Sequence, residues 1–183
     1  MFACFRLAQP EFPVIPMFKS AGCIFTSGTH VLAGYQKDHT CPTVSGIGGK
    51  REGGETYMET AIRETVEELF GLDTVPSALV SKLTASLPPR GLHCIASYVM
   101  IVYNFNDLQE MIEIVKRKVG HSPLYKAFPK NVTDLVLNRR TDVVPRPEVL
   151  HLSLLPLVKN FSLDADFLED IEIVLKEASM FHR

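Results

Sequence analysis

The segment Gly48 to Leu72, GGKREGGETYMETAIRETVEELFGL, crowds six carboxylates and five glycines into 25 positions of a chain whose formal charge is only −2. Thr56 followed three residues later by Glu59 is a capping-box pattern. A helix is therefore expected to begin there and run to about Phe70, with Gly71 as its left-handed stop. At about 100° per residue, Met58, Ile62, Thr65, Val66 and Leu69 gather on one side of such a helix. Glu64, Glu67 and Glu68 gather on the nearly opposite side, with Thr60 a turn before them.

An acidic outer face is what many surface helices carry. Yet like charges at i, i+3 and i, i+4, as Glu64 makes with Glu67 and Glu68, cost a few tenths of a kcal/mol per pair. Arg63 is the one local counter-charge and reaches only part of the cluster. Two readings stand at this point: a solvated face, or a platform for a hard divalent cation that prefers carboxylate oxygens.

The spacing in front of the helix favours the second. Gly49, five intervening residues, Glu55, seven more, then Arg63-Glu64 and Glu67-Glu68 resembles the Nudix box, G-x5-E-x7-R-E-U-x-E-E-x-G-U. Six fixed identities arise by chance roughly once in ten million starting points at ordinary residue frequencies. The resemblance is specific from about Ser45 to Leu72, looser from Ala21 to Phe105 and from Glu148 onward, and absent between Asn106 and Pro147. There are two departures: Thr65 stands where an apolar residue is usual, and Gly71 follows Glu68 by three residues instead of two because Phe70 is extra.

The resemblance implies an α+β fold, a mixed β-sheet sandwiched between helices, with the box as a loop-helix-loop. It implies hydrolysis of a pyrophosphate linkage in a nucleoside diphosphate derivative by water, with Mg²⁺ or Mn²⁺ as cofactor. Glu64, Glu67 and Glu68 match the family's metal-binding glutamates, and Gly48 the backbone carbonyl that often joins them. Arg63 and Glu55 match the ion pair that holds the loop against the helix. The general base implied is a box glutamate, here Glu64, or a Glu or His from a later loop, for which Glu148 and His121 are the candidates.

The rest of the chain reads as one domain over residues 1–183, of ordinary globular composition with 46% hydrophobic and 22% charged residues. Pro10, Pro13 and Pro16 make residues 1–20 an extended arm. AGCIFTSGTHVLAGYQ reads as two strands about a Ser27-Gly28 turn, LVSKLTASL as a weaker strand, HCIASYVMIVYNF as the strongest strand and EVLHLSLLPL as a late one. Asn106 or Asp107 is placed to cap a helix ending near Val119, VTDLVLNRR to form a short element, and DADFLEDIEIVLKEA to form an amphipathic closing helix. Cys4, Cys23, Cys41 and Cys94 show neither disulfide nor zinc spacing. No apolar run reaches the roughly 18 residues of a membrane helix. The expectation is a reducing compartment, cytoplasmic with the nucleus allowed.

Residues 106–147 read as a helical and irregular insertion that is basic in its second half. From Lys116 to Arg146 there are eight Lys or Arg against two Asp. Such a stretch is either solvated surface or a path for a polyanion. Tyr125 and Phe128 within it fit base stacking or core packing. Lys50, Lys130, Arg139 and Arg140 are the candidate substrate contacts. Two substrates follow: a free nucleotide derivative, or an RNA 5′ cap as in mRNA decapping. A third reading, a binding module without catalysis, meets the obstacle that every box glutamate and Arg63 are present.

Overall fold

The computed structural model describes residues 17–37, 42–143, 147–157 and 165–180. The expected arm therefore lies outside the described residues up to position 16, as do Cys4 and Cys41. The first strand already begins at Ser20. The elements are β1 (Ser20–Thr26), β2 (His30–Lys37), β3 (Pro42–Ser45), β4 (Ile47–Lys50), α1 (Tyr57–Phe70), α2 (Ser77–Ser86), β5 (Gly91–Ile95), β6 (Tyr98–Asn104), α3 (Phe105–Val119), α4 (Val132–Leu137), β7 (Val149–Pro156) and α5 (Ala165–Met180).

All seven strands belong to one mixed sheet ordered β3-β2-β1-β6-β5, with β4 joined to β1 and β7 to β2. β1 runs parallel to β6, Ser20 opposite Tyr98 through Thr26 opposite Asn104. On its other edge β1 meets β4 from Ser20 to Cys23 and touches β2 only at Thr26. β3 and β4, separated by Gly46, fill the gap where β1 and β2 diverge. This sets the glycine strand of the box beside the centre of the sheet.

The alternation of strand residues sorts the core onto two faces. Cys23, Phe25, Leu32 and Ile101 point into a large cluster with α1, α2 and α3, including Ile62, Val66, Leu69, Leu83, Met111 and Val115. Their neighbours Ile24, Val31, Ala33, Met100 and Val102 face the opposite way, against Phe167, Ile171 and Val174 of α5. The sheet thus lies between helices, the expected α+β sandwich.

Three local expectations are corrected. LVSKLTASL is helical: its buried residues Leu79, Val80 and Leu83 follow a one-sided helical stripe, and Pro76 opens the helix. HCIASYVMIVYNF is not one strand but a hairpin, β5 and β6, turning at Ala96 and Ser97 with Ala96 at φ 50°. The cap of α3 is Asn104, with Asp107 closing a capping box from the N3 position. Residues expected as an insertion also supply the main core, through Leu108, Met111, Ile112, Leu124, Tyr125 and Leu135.

The box helix begins and ends where expected. Thr56 is its N-cap in a complete capping box, and Gly71 at φ 66° donates its N–H to the Glu67 carbonyl. A Cβ on Gly71 would also collide with the Leu124 side chain. Gly71→Ala is expected to destabilise the protein by about 1–3 kcal/mol, lowering the melting midpoint ~2–4 °C for each kcal/mol. An unchanged midpoint in thermal unfolding would show that the left-handed stop carries no strain.

Candidate active site

Arg63, on α1 and 8% exposed at its side chain, spends all five of its N–H donors on the box. Nε donates to Glu55 Oε1 at 2.7 Å and Nη2 to Glu55 Oε2 at 3.1 Å. Nη2 also reaches the Lys50 carbonyl at 2.8 Å, and Nη1 divides itself between Glu64 Oε1 and Glu67 Oε2, each at 3.0 Å. Glu55 is held further by the Thr60 hydroxyl and the Glu52 N–H. Burial would raise the Glu55 carboxyl, but these hydrogen bonds, Arg63 first, hold it below its ordinary value. The loop is thereby fastened to the helix.

Glu68 is buried on the sheet side of the cluster and out of reach of Arg63. Its Oε2 accepts the Gly48 N–H at 2.9 Å, and Gln36 Nε2 lies 3.4 Å from its Oε1. Burial pushes its carboxyl well above the ordinary range, the Gly48 N–H opposes this, and the charges of Glu148 and Glu64 add to it. Glu64 and Glu67 are raised as well, each chiefly by burial and each restrained by Arg63. A Cβ at Gly49 would displace the Glu64 carboxylate, which occupies that volume.

Glu64, Glu67 and Glu68 face a cleft of about 460 Å³ with Glu52 and Glu148, walled by Gly71, Leu72, Pro123, Leu124 and Pro147. Glu52 was not among the residues singled out from the sequence; its charge is felt by both Glu64 and Glu67. A second cleft of about 490 Å³ is lined by Ser45, Gly46, Ala96, Tyr98, Phe167 and Asp170. Gln36 and Gly48, the two partners of Glu68, also line it, so the clefts meet at that carboxylate.

The donor set suits a hard divalent cation, being carboxylates whose burial and mutual repulsion leave them short of positive charge. Among the described residues, however, no three His, Cys, Asp or Glu side chains stand ready as a cage. The Arg63 Nη1 sits between Glu64 and Glu67, 3.0 Å from each.

The other candidates are placed less centrally. The Lys50 side chain is exposed and its carbonyl serves Arg63. His121 is exposed, with Nδ1 3.2 Å from the Val119 carbonyl, and does not line the glutamate cleft. Lys130 is exposed, and Arg140 pairs with Asp142 at 3.1 Å. Arg139 is not a surface cation: it is buried, with its Nη atoms on the carbonyls of Glu68, Leu69 and Val149. Tyr125 is buried with its hydroxyl on the Leu69 and Leu135 carbonyls, and Phe128 stacks on Phe70 at 5.3 Å. Both belong to the core rather than to a stacking platform. No helix among the described residues is long and apolar enough to cross a membrane.

The sheet sandwiched by helices, with the box wound into its loop and helix, is a Nudix-type fold. Among solved structures, the chain is similar to a bifunctional NMN adenylyltransferase/ADP-ribose pyrophosphatase from Francisella tularensis, complexed with AMP and a manganese ion. The TM-score is 0.50 and the identity 15%, over 91% of this chain and 43% of that one. The chain thus spans less than half the length of that protein. It is also similar to RenU, a Nudix hydrolase from M. smegmatis, at TM-score 0.45 and 15% identity over 89% of this chain and 87% of the other. A mutT/nudix family protein from Listeria innocua gives TM-score 0.41 and 12% identity over 91% and 96%. At these identities the likeness is one of fold. No family model matches the chain, and no curated protein does.

Removing Arg63 leaves three part-buried carboxylates without their cation, so Arg63→Ala is expected to cost about 3–5 kcal/mol in thermal or urea unfolding, and Glu55→Gln less. Glu68 gives the opposite sign. Its folded-state value lies above that of the unfolded chain, so its stabilising contribution is complete below the ordinary carboxylate range and is lost as pH rises through the raised value. Without divalent ions, Glu68→Gln is therefore expected to raise the melting midpoint at pH 7 and to leave it unchanged near pH 4. A lower midpoint at pH 7 would mean that Glu68 is not held against its charge.

Proposed function

We propose that this chain is a Nudix hydrolase that cleaves a pyrophosphate linkage in a nucleoside diphosphate derivative by attack of water, with Mg²⁺ or Mn²⁺ held by Glu64, Glu67, Glu68 and the Gly48 carbonyl. The observation that carries the reading is the convergence of five glutamates on one cleft, three of them with carboxyls raised by burial. A bound divalent ion would neutralise phosphate oxygens and supply a water acidified toward neutral pH. The F. tularensis protein, described as an ADP-ribose pyrophosphatase and bound to AMP and manganese, is consistent with that class of substrate.

This chain's own residues then divide the work. Arg63 keeps Glu64 and Glu67 aimed at the cleft while bracing the loop through Glu55. Glu148 faces the same cleft from the start of β7 and is better placed than His121 to take a proton from the attacking water. The adjoining cleft would take the nucleoside portion between Tyr98 and Phe167, where the buried Ser45 hydroxyl has no partner among the described residues. Three residues that the capped-RNA reading drew on, Arg139, Tyr125 and Phe128, face inward, while Lys116, Lys118, Lys126 and Lys130 stay exposed.

Incubation with Mg²⁺ or Mn²⁺ against nucleoside triphosphates, dinucleoside polyphosphates, nucleotide sugars and capped RNA, with products identified by mass, tests the proposal. Turnover abolished by EDTA is expected, with Glu67→Gln and Glu68→Gln slower by orders of magnitude. Glu148→Gln is expected to lower kcat by about 10²–10⁴-fold, the usual contribution of a general base. Activity undiminished in the Glu67 and Glu68 variants would remove the metal platform.

A further inference from the structure

Arg139 joins the glutamate helix to β7, the strand that begins one residue after Glu148. α1 has no basic residue in its last turn, although its final carbonyls lack partners within the helix. Arg139 supplies them: Nη2 donates to the Glu68 carbonyl at 2.7 Å and Nη1 to the Leu69 carbonyl at 3.0 Å. The same Nη2 donates to the Val149 carbonyl at 2.7 Å, one residue beyond Glu148. The Tyr125 hydroxyl, 3.3 Å from Nη1, seals the guanidinium from the other side. The main chains of Glu68 and Val149 are thus pinned by one planar group buried at 9% exposure.

We propose that Arg139 is a positioning residue, setting the separation between Glu148 and the pair Glu67 and Glu68 by bracing the end of α1 against the first residue of β7. The proposal rests on the hydrolase reading for its purpose, but not for its geometry. A guanidinium presents a rigid fork that spans several carbonyls, whereas an ammonium is a single point donor. Arg139→Lys therefore keeps the charge at the helix end and loses the fixed spacing.

The test is a double-mutant cycle between Arg139→Lys and Glu148→Gln, read in Mn²⁺ affinity by calorimetry with the metal alone and in turnover of the best nucleotide substrate. If Arg139 acts through Glu148, Arg139→Lys is expected to weaken Mn²⁺ binding and lower kcat by about 10-fold or more in the parent, the scale seen for outer partners of metal sites. In the Glu148→Gln background the same change is expected to cost less than about 3-fold. Equal factors in both backgrounds would overturn the proposal and leave Arg139 a cap of the helix alone. Tyr125→Phe is the control, expected to lower the melting midpoint while leaving the coupling of Arg139 to Glu148 intact; a coupling lost with it would likewise overturn the proposal. Arg139→Gln, read in the same way, serves if the lysine variant does not fold. Intact coupling in Mn²⁺ affinity without turnover of any substrate would overturn the hydrolase reading and keep the positioning role.

Discussion

Five N–H groups of one guanidinium organise the box. Arg63 binds both oxygens of Glu55, one each of Glu64 and Glu67, and the Lys50 carbonyl, so the loop, the strand before it and the helix after it share one cation. The burial of Arg63 is offset because each of its five donors has an acceptor. The balance of charge is the more telling point. One cation faces three carboxylates directly and a fourth, Glu68, not at all, so the site keeps a negative surplus inside a partly desolvated cleft. A fold gains nothing in stability from such a surplus; a site for a cation and a polyphosphate does.

Where local rules determine structure, the chain could be read without coordinates. Thr56 with Glu59 and the glycine at 71 marked both ends of α1, and the pairing of Arg63 with Glu55 is what the resemblance to the Nudix box implied. The hairpin at Ala96 and Ser97 was hidden because Ser97 is its only usual turn former, and an alanine at φ 50° has no sequence signal. α2 was misread because its short apolar stripe at Leu79, Val80 and Leu83 fits two periodicities over nine residues, and tertiary packing decided between them. Arg139 lay furthest from reach. Its partners on α1 stand about 70 residues earlier, and charge composition cannot distinguish a solvated cation from one that caps a helix.

Glu68 links the two halves of the candidate site. Its backbone carbonyl is tied to Arg139 at the helix end, while its carboxylate is tied through Gly48 and Gln36 to the strands that line the second cleft. The carboxylate is therefore tied to β4 and β2, and its position is set by the sheet. That explains why the residue least served by Arg63 is also the most deeply held. Its fixed place comes from strand geometry rather than from a counter-ion.

The extra residue before Gly71 and the stretch that resembles no part of the family meet at the same point. With Phe70 added, α1 continues to a residue whose ring is buried against Phe128 and whose carbonyl accepts the Ser122 hydroxyl at 2.5 Å. The carbonyl before it accepts Tyr125 and Arg139, and the one before that accepts Arg139 alone. Three successive carbonyls at the end of the glutamate helix are thus satisfied by residues 122 to 139, none of which the box pattern describes. The segment from Ser122 to Arg139 thus forms the C-terminal cap of the helix that carries the candidate site.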